Sequence, residues 1–420
     1  MRSTCGRVGR WSPPDASPDF RRAGGQPSTP IASHESADRR TARFKDPRGR
    51  ERRDGTPRRA CFLVRGKRRA DAHFIRDAAT RSIAEGETFY SHNLGLAELR
   101  EAIAGYLSAL HPEVDGARIA VTSSGVSALM LAMQALVGAG DEVVAVVPVW
   151  PNLTAQPAIL GAQVTRFPLR PASDGAWRLD VDALKRAVTP STRVLLVNSP
   201  NNPTGWTLTR AEQETLLAHC RSTGTWIIAD EVYERIFFAG GSEQPACAPS
   251  FLDIANADDR LIVVHSFSKS FLMTGWRLGW LVLPAGMAPS LAKLIEFNTS
   301  CAPVFVQRAG LAALAHADAF IPGLVERLKT CRDTLLPRLH ALPGVDVATP
   351  PGGLYAFFRV PGSDDSLAFA KRLVEAAGVG LAPGAAFGAE GEGWLRWCFA
   401  SHDPRRLEDG VDRLAAFLAL

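Results

Sequence analysis

From residue 72 onward, short apolar runs alternate with longer stretches whose apolar positions recur every three or four residues. The runs over 141–150, 162–169, 193–200, 225–233 and 261–269 read as strands, and the stretches over 96–110, 125–138, 180–188 and 211–222 as helices. Segments such as VVAVV, VLLV and LIVV show no polar face, so these strands are expected to be buried on both sides. The alternation predicts an α/β fold, a mostly parallel sheet sandwiched by helices. Ligands of such sheets gather outside the carboxyl ends of the strands. Three polar clusters, NSPNNPTG, ADEVY and SFSK, fall at ends of this kind and can converge on one site.

Beyond about residue 320 the rhythm changes. A long helical stretch over 317–342 leads into strands at 354–360 and 394–400, a helix at 366–378 and a closing helix at 404–420. This pattern predicts a smaller α+β C-terminal domain. The expected organisation is a basic segment over 1–71, an N-terminal helical segment over 72–115, a large domain over 116–320 and a small domain over 321–420.

Composition adds what periodicity does not show. The 420 residues are 46% hydrophobic and 22% charged, enough for more than one buried core. The net charge of +5 is unevenly divided: residues 1–70 hold 17 Arg and 2 Lys against 7 acidic residues, net +12, which leaves −7 on the remainder. Only seven of those seventy residues are Leu, Ile, Val or Phe, too few to offset the entropy of ordering the segment. It is therefore expected to be disordered, or to reflect a misassigned start. A DNA-binding head would need amphipathic helices that RRDGTPRRA and PPDASPDF do not offer, and a transit peptide would be acid-poor. No window reaches the roughly 18 uninterrupted apolar residues of a membrane span. Neither nucleic acid nor membrane is expected as a partner, and the cytoplasm is the expected compartment. Seven scattered cysteines, odd in number and without a C-x-x-C pair, imply reduced thiols and no metal site.

Lys269 follows an apolar strand directly, where a lone ammonium needs a task; a solvated loop lysine is the commoner alternative. In a partly desolvated pocket such an amine can act as nucleophile and, once released, as general base. Asp230 closes the apolar run TWIIAD, and Arg396 stands among apolar neighbours in WLRWCFA, a costly place for a cation that lacks a partner. TSSGVSALML, 122–131, runs from a strand into a helix whose positive end suits an anion, although most such turns are only helix caps. NPTG is also a good turn, and a tryptophan such as Trp150 is usually core. Ser266-Phe-Ser-Lys269 satisfies S-x-x-K, but the S-D-N and K-T-G motifs that accompany it in penicillin-binding enzymes are missing. Gly378-Val-Gly380 has its next glycine one place late for a dinucleotide fingerprint.

Taken in order, these motifs resemble the class I/II aminotransferases, pyridoxal-phosphate enzymes of fold type I in the aspartate aminotransferase superfamily; the resemblance covers residues 73–420. It implies that Lys269 carries the cofactor as a Schiff base in a ping-pong transfer of an amino group from an L-amino acid to a 2-oxo acid. It also implies that Asp230 bonds the pyridinium nitrogen, that Asn202 and Tyr233 bond the ring oxygen, and that Trp150 stacks on the ring. Ser124, Gly125, Val126, Ser127, Ser266, Ser268 and Arg277 are implied as phosphate contacts, and Arg396, with Asn202 and Trp150, as the substrate site. Tyr90 matches a tyrosine that reaches the phosphate of a neighbouring subunit, and Ser300 lies in a second interface segment, implying a homodimer with shared active sites. Two departures stand out. CFLVRGKRRADAH occupies the place of a segment that covers substrate in the family, and Val126 and Glu296 stand where dicarboxylate specialists carry a cation. The latter leaves neutral or aromatic amino acids open as substrates. A carbon–sulfur β-lyase on the same scaffold, or a transcription regulator with an aminotransferase-like body, would share most of these residues.

Overall fold

The structure is a computed structural model that describes residues 72–238 and 247–419, together with the backbone of Ala60–Cys61. The expectations for residues 1–59 and 62–71, including the segment in the place of the substrate cover, lie outside the described residues.

Seven strands form the main sheet: β1 (Ile119–Thr122), β2 (Glu142–Val147), β3 (Gln163–Pro168), β4 (Thr192–Asn198), β5 (Trp226–Asp230), β6 (Leu261–Ser266) and β7 (Gly279–Val282). Their order is β1-β7-β6-β5-β4-β2-β3. β2 to β6 pair in parallel, whereas β7 runs antiparallel to both β1 and β6. The near-continuous apolar runs are buried on both faces, with one core layer on each side of the sheet. Glycine is needed where β7 passes between its neighbours. A Cβ at Gly279 would lie 2.6 Å from Gly125 N and 2.8 Å from His265 O, both backbone atoms.

Two sequence expectations needed adjustment at the strand ends. The strand read as 261–269 stops at Ser266, and residues Phe267–Ser270 form one helical turn, so Lys269 projects from that turn. Ser266 caps it, accepting from Ser268 N at 3.2 Å. The strand read as 225–233 likewise stops at Asp230, where the main chain turns away.

A second sheet comprises β8 (Asp346–Val347), β9 (Tyr355–Arg359), β10 (Ala382–Pro383) and β11 (Leu395–Cys398), in the order β8-β9-β11-β10. Helices Ala317–His340, Ser366–Ala377 and Arg405–Leu418 flank it around a separate apolar cluster that includes Phe358, Trp397 and Phe399. The pair Ala60–Cys61 runs parallel to Val379–Gly380. No single described helix is long and apolar enough to cross a membrane.

Candidate active site

The site grows from the carboxyl ends of β4, β5 and β6. Asn198 closes β4 opposite Asp230 and donates from Nδ2 to the Asp230 carbonyl at 3.0 Å. Its Oδ1 accepts from Asn202 N at 2.8 Å, which fixes the NSPNNPTG loop and brings Asn202 inward. Arg396 arrives from the second sheet, on β11 between Phe357 and Ala382. It is buried and donates from Nη1 to Asn202 Oδ1 at 2.8 Å. Its guanidinium carbon lies 4.2 Å from the Tyr355 ring centre and 4.7 Å from that of Phe387.

Tyr233 is buried one turn beyond β5, with its hydroxyl 3.0 Å from that of Tyr355. Burial, then Tyr355, holds its phenol protonated well above the ordinary range. Lys269 Nζ stands 5.4 Å from the centre of the Tyr233 ring. Lys269, Tyr233, Tyr355, Arg396 and Asn202 thus form one connected set drawn from both sheets.

The start of helix Gly125–Leu136 abuts this set. Ser124 caps it, accepting from Ser127 N at 3.1 Å, and a Cβ at Gly125 would come within 3.0 Å of Ser266 Cβ. Ser266 Oγ in turn donates to Ser268 Oγ at 3.0 Å. A twelve-residue helix therefore points its positive end at a cluster of hydroxyls, a cradle suited to a phosphate.

Asp230 tests the fit to a cationic ring. It is 4% exposed, and burial pushes its carboxyl up to about 7, eased by the Val232 N–H at 3.3 Å and by the charge of Lys269. Among the described residues no cation lies within ion-pair distance of it. A buried carboxylate in that state is complementary to a protonated ring nitrogen.

The other expected residues differ in their exposure and local contacts. Trp150 is half-buried at the end of β2, packed on one core layer. Arg277 is exposed, with φ of 56°, and donates from Nη1 to Thr274 O at 2.7 Å. Tyr90 is 86% exposed and points away from the chain's own core. Val126 is half-buried, and its carbonyl accepts from Gln156 Nε2 at 3.1 Å. Ser300 is half-buried with φ of 63°, and Glu296 is exposed and accepts from Asn93 Nδ2 at 3.4 Å.

Sequence reasoning missed Tyr355 and Phe387. A phenol within the apolar strand LYAFFRV was a usable signal, whereas Phe387 in a Gly-rich loop carried none. It also missed a buried network around Glu231 and Glu234. His111 bonds Asp253 at 2.7 Å and Glu234 at 3.4 Å, His265 Nδ1 faces Glu234 at 3.6 Å, and Ser250 Oγ donates to Glu231 at 2.5 Å. Glu231, Glu234 and His265 bring ligand-type atoms within 4.8 Å of one another, but the carboxylates are already engaged in these contacts.

Comparison with known proteins identifies a family. The family model for aminotransferase class I and II matches residues 65–414. An aspartate aminotransferase of Pyrococcus horikoshii is 31% identical over 338 residues, covering 80% of this chain and 84% of that protein. An arginine–pyruvate transaminase of Pseudomonas aeruginosa is 33% identical over 324 residues, covering 77% and 80%. The crystal structure of an aromatic aminotransferase from Pyrococcus horikoshii superposes with a TM-score of 0.79 at 29% identity, over 86% of this chain and 95% of that one. These relatives favour neither the carbon–sulfur lyase nor the transcription regulator. The chain belongs to the class I and II aminotransferases, enzymes that transfer amino groups.

Proposed function

We propose that this aminotransferase moves an amino group from an L-amino acid to a 2-oxo acid in ping-pong fashion, with pyridoxal phosphate held between Lys269 and Asp230. The observation that carries the cofactor reading is Asp230, a buried carboxylate near Lys269 with no cation in ion-pair reach among the described residues. Ser124, Gly125, Val126, Ser266, Ser268 and Arg277 would hold the phosphate, Asn202 and Tyr233 the ring oxygen, and Trp150 the ring face. Bound there, the cofactor would supply a carbonyl that takes up the amine and a ring that withdraws electrons from Cα.

The chain's own residues then have distinct tasks. Arg396 grips the α-carboxylate with a planar donor edge that Asn202 Oδ1 helps orient. Lys269 Nζ takes the proton from the substrate Cα and would pass it to the cofactor's former carbonyl carbon, and it makes the same transfer in the opposite direction when the 2-oxo acid is aminated. Tyr355 and Phe387 pack against the guanidinium and restrict its plane.

The same proposal takes residues 116–320 as the large domain, 321–420 as the small one and 72–115 as a helical segment completing the site region. A homodimer with shared sites is supported by the exposed aromatic side chains Phe89, Tyr90 and Phe297, which a second copy would cover. Cys220, Cys247, Cys301, Cys331 and Cys398 are free thiols, which fits the cytoplasm. Val126 and Glu296, where dicarboxylate specialists carry a cation, favour a neutral or aromatic amino acid.

The test is a visible absorption titration of the purified, pyridoxal-phosphate-loaded protein with L-phenylalanine, L-alanine, L-arginine and L-aspartate. Each reactive amino acid should bleach the cofactor band, and a 2-oxo acid should restore it. Borohydride should fix the cofactor on the peptide containing Lys269. A protein that stays colourless with added cofactor and gives no borohydride adduct would overturn the reading.

A further inference from the structure

The loop joining β10 to β11 makes contacts that the reaction does not itself require. It consists of two abutting 3-10 turns, Gly384–Phe387 and Ala389–Gly391, so close that a Cβ at Gly384 would overlap the Gly391 carbonyl. This loop reaches across to β3, the edge strand of the main sheet. Arg166 donates from Nε to Glu390 Oε1 at 3.0 Å and from Nη2 to Oε2 at 2.7 Å, a two-pronged pair. The two side chains are 32% and 22% exposed, so solvent screens the pair only in part. Gly388 makes room for it: its φ is 118°, and a Cβ there would overlap Arg166 Nη2 and approach Glu390 Oε2 to 2.6 Å. A second tie is the Val149 N–H, which donates to the Phe387 carbonyl at 3.3 Å.

Phe387 sits between these two ties, buried, with its ring against the Arg396 guanidinium. β3 is in register with β2, Arg166 opposite Ala145, so the loop is anchored to the sheet that also carries Lys269. A guanidinium bonds a carboxylate well only when its plane is fixed, and a ring stacked near it restricts that plane. We infer that Arg166, Glu390 and Gly388 are positioning residues for Arg396, acting through Phe387 to set where the substrate carboxylate lies relative to Lys269. The inference rests on the reading of Arg396 as the carboxylate grip.

The experiment follows single turnovers of the loaded enzyme with two amines: the fastest L-amino acid of the titration above, and the corresponding amine without its carboxylate. In Arg166→Gln and Glu390→Gln, the ratio of maximal rate to Kd should fall about fivefold for the amino acid and stay unchanged for the amine. The double variant should be no worse than Arg166→Gln, which removes both the Glu390 pair and the Arg166 Nη2 contact to the Phe387 carbonyl at 3.5 Å. Glu390→Gln keeps the side-chain volume and is the variant expected to fold if Arg166→Gln does not. Arg396→Gln, run in parallel, should erase the preference for the amino acid. If that preference survives in Arg396→Gln, the reading of Arg396 falls and the inference with it. Erasure there combined with an intact preference in Glu390→Gln, or equal losses for both amines, overturns the inference alone.

Discussion

Replacing Asp230 by Asn should shift the stability of the cofactor-free protein in the variant's favour as pH rises. Burial raises this carboxyl from 3.8 to about 7, so the folded state binds its proton more tightly than the unfolded chain does. The associated stability is full below pH 3.8 and is lost as pH rises through about 7. Integrated between those values, the loss is about 1.7 kcal/mol at pH 5 and about 4 kcal/mol at pH 8.5. An asparagine has no such dependence. It can still accept from Val232 N, although its amide N–H groups gain no obvious acceptor, a pH-independent cost of roughly 1–3 kcal/mol. The quantity to compare is therefore the change in the difference between the two proteins. From urea unfolding at pH 5 and 8.5, that difference should shift by about 2–3 kcal/mol in favour of Asp230→Asn at the higher pH. Ionisations common to both proteins cancel. A difference that is flat with pH, or that moves the other way, would refute the claim that Asp230 is a desolvated carboxylate awaiting a cationic partner. In the loaded protein the substitution should weaken cofactor binding, because the partner then has no counter-charge.

Two further outcomes follow from the geometry. Gly279→Ala should destabilise the protein by about 2 kcal/mol or more and weaken retention of the cofactor phosphate, since the new Cβ meets backbone of both Gly125 and His265; a thermal melt and the cofactor occupancy after dialysis check this. His111→Gln should cost most stability just below pH 6.5. Burial alone would lower this imidazole, but Asp253 and Glu234 raise it from 6.5 to about 10, so its contribution is full below 6.5 and lost as pH rises through 10. Urea unfolding at pH 6 and 10.5 should show the gap between wild type and variant closing at the higher value.

The central strands of the sheet were legible because they are apolar on both faces, as in VVAVV, VLLV and LIVV. Strand ends were less so: periodicity could not show that the chain after Ser266 winds into a helical turn, since Phe267 and Phe271 bury equally well on a helix or a strand. β7 was harder still. Its pairing with β1 is long-range, and the only local trace is Gly279, whose need for a bare backbone arises partly from Gly125, 154 residues away in sequence. The same distinction separates the residues within the site. Lys269, Asp230 and Arg396 are ionisable groups set in apolar runs, an imbalance visible in sequence alone. Phe387 and the Arg166–Glu390 pair carry no such imbalance. An aromatic in a loop and charges on an edge strand and a turn are ordinary taken singly, and their consequence for Arg396 exists only once β3 and the β10–β11 loop meet. Residues that perform chemistry therefore stand out against their local background, whereas residues that position them become visible only through the fold.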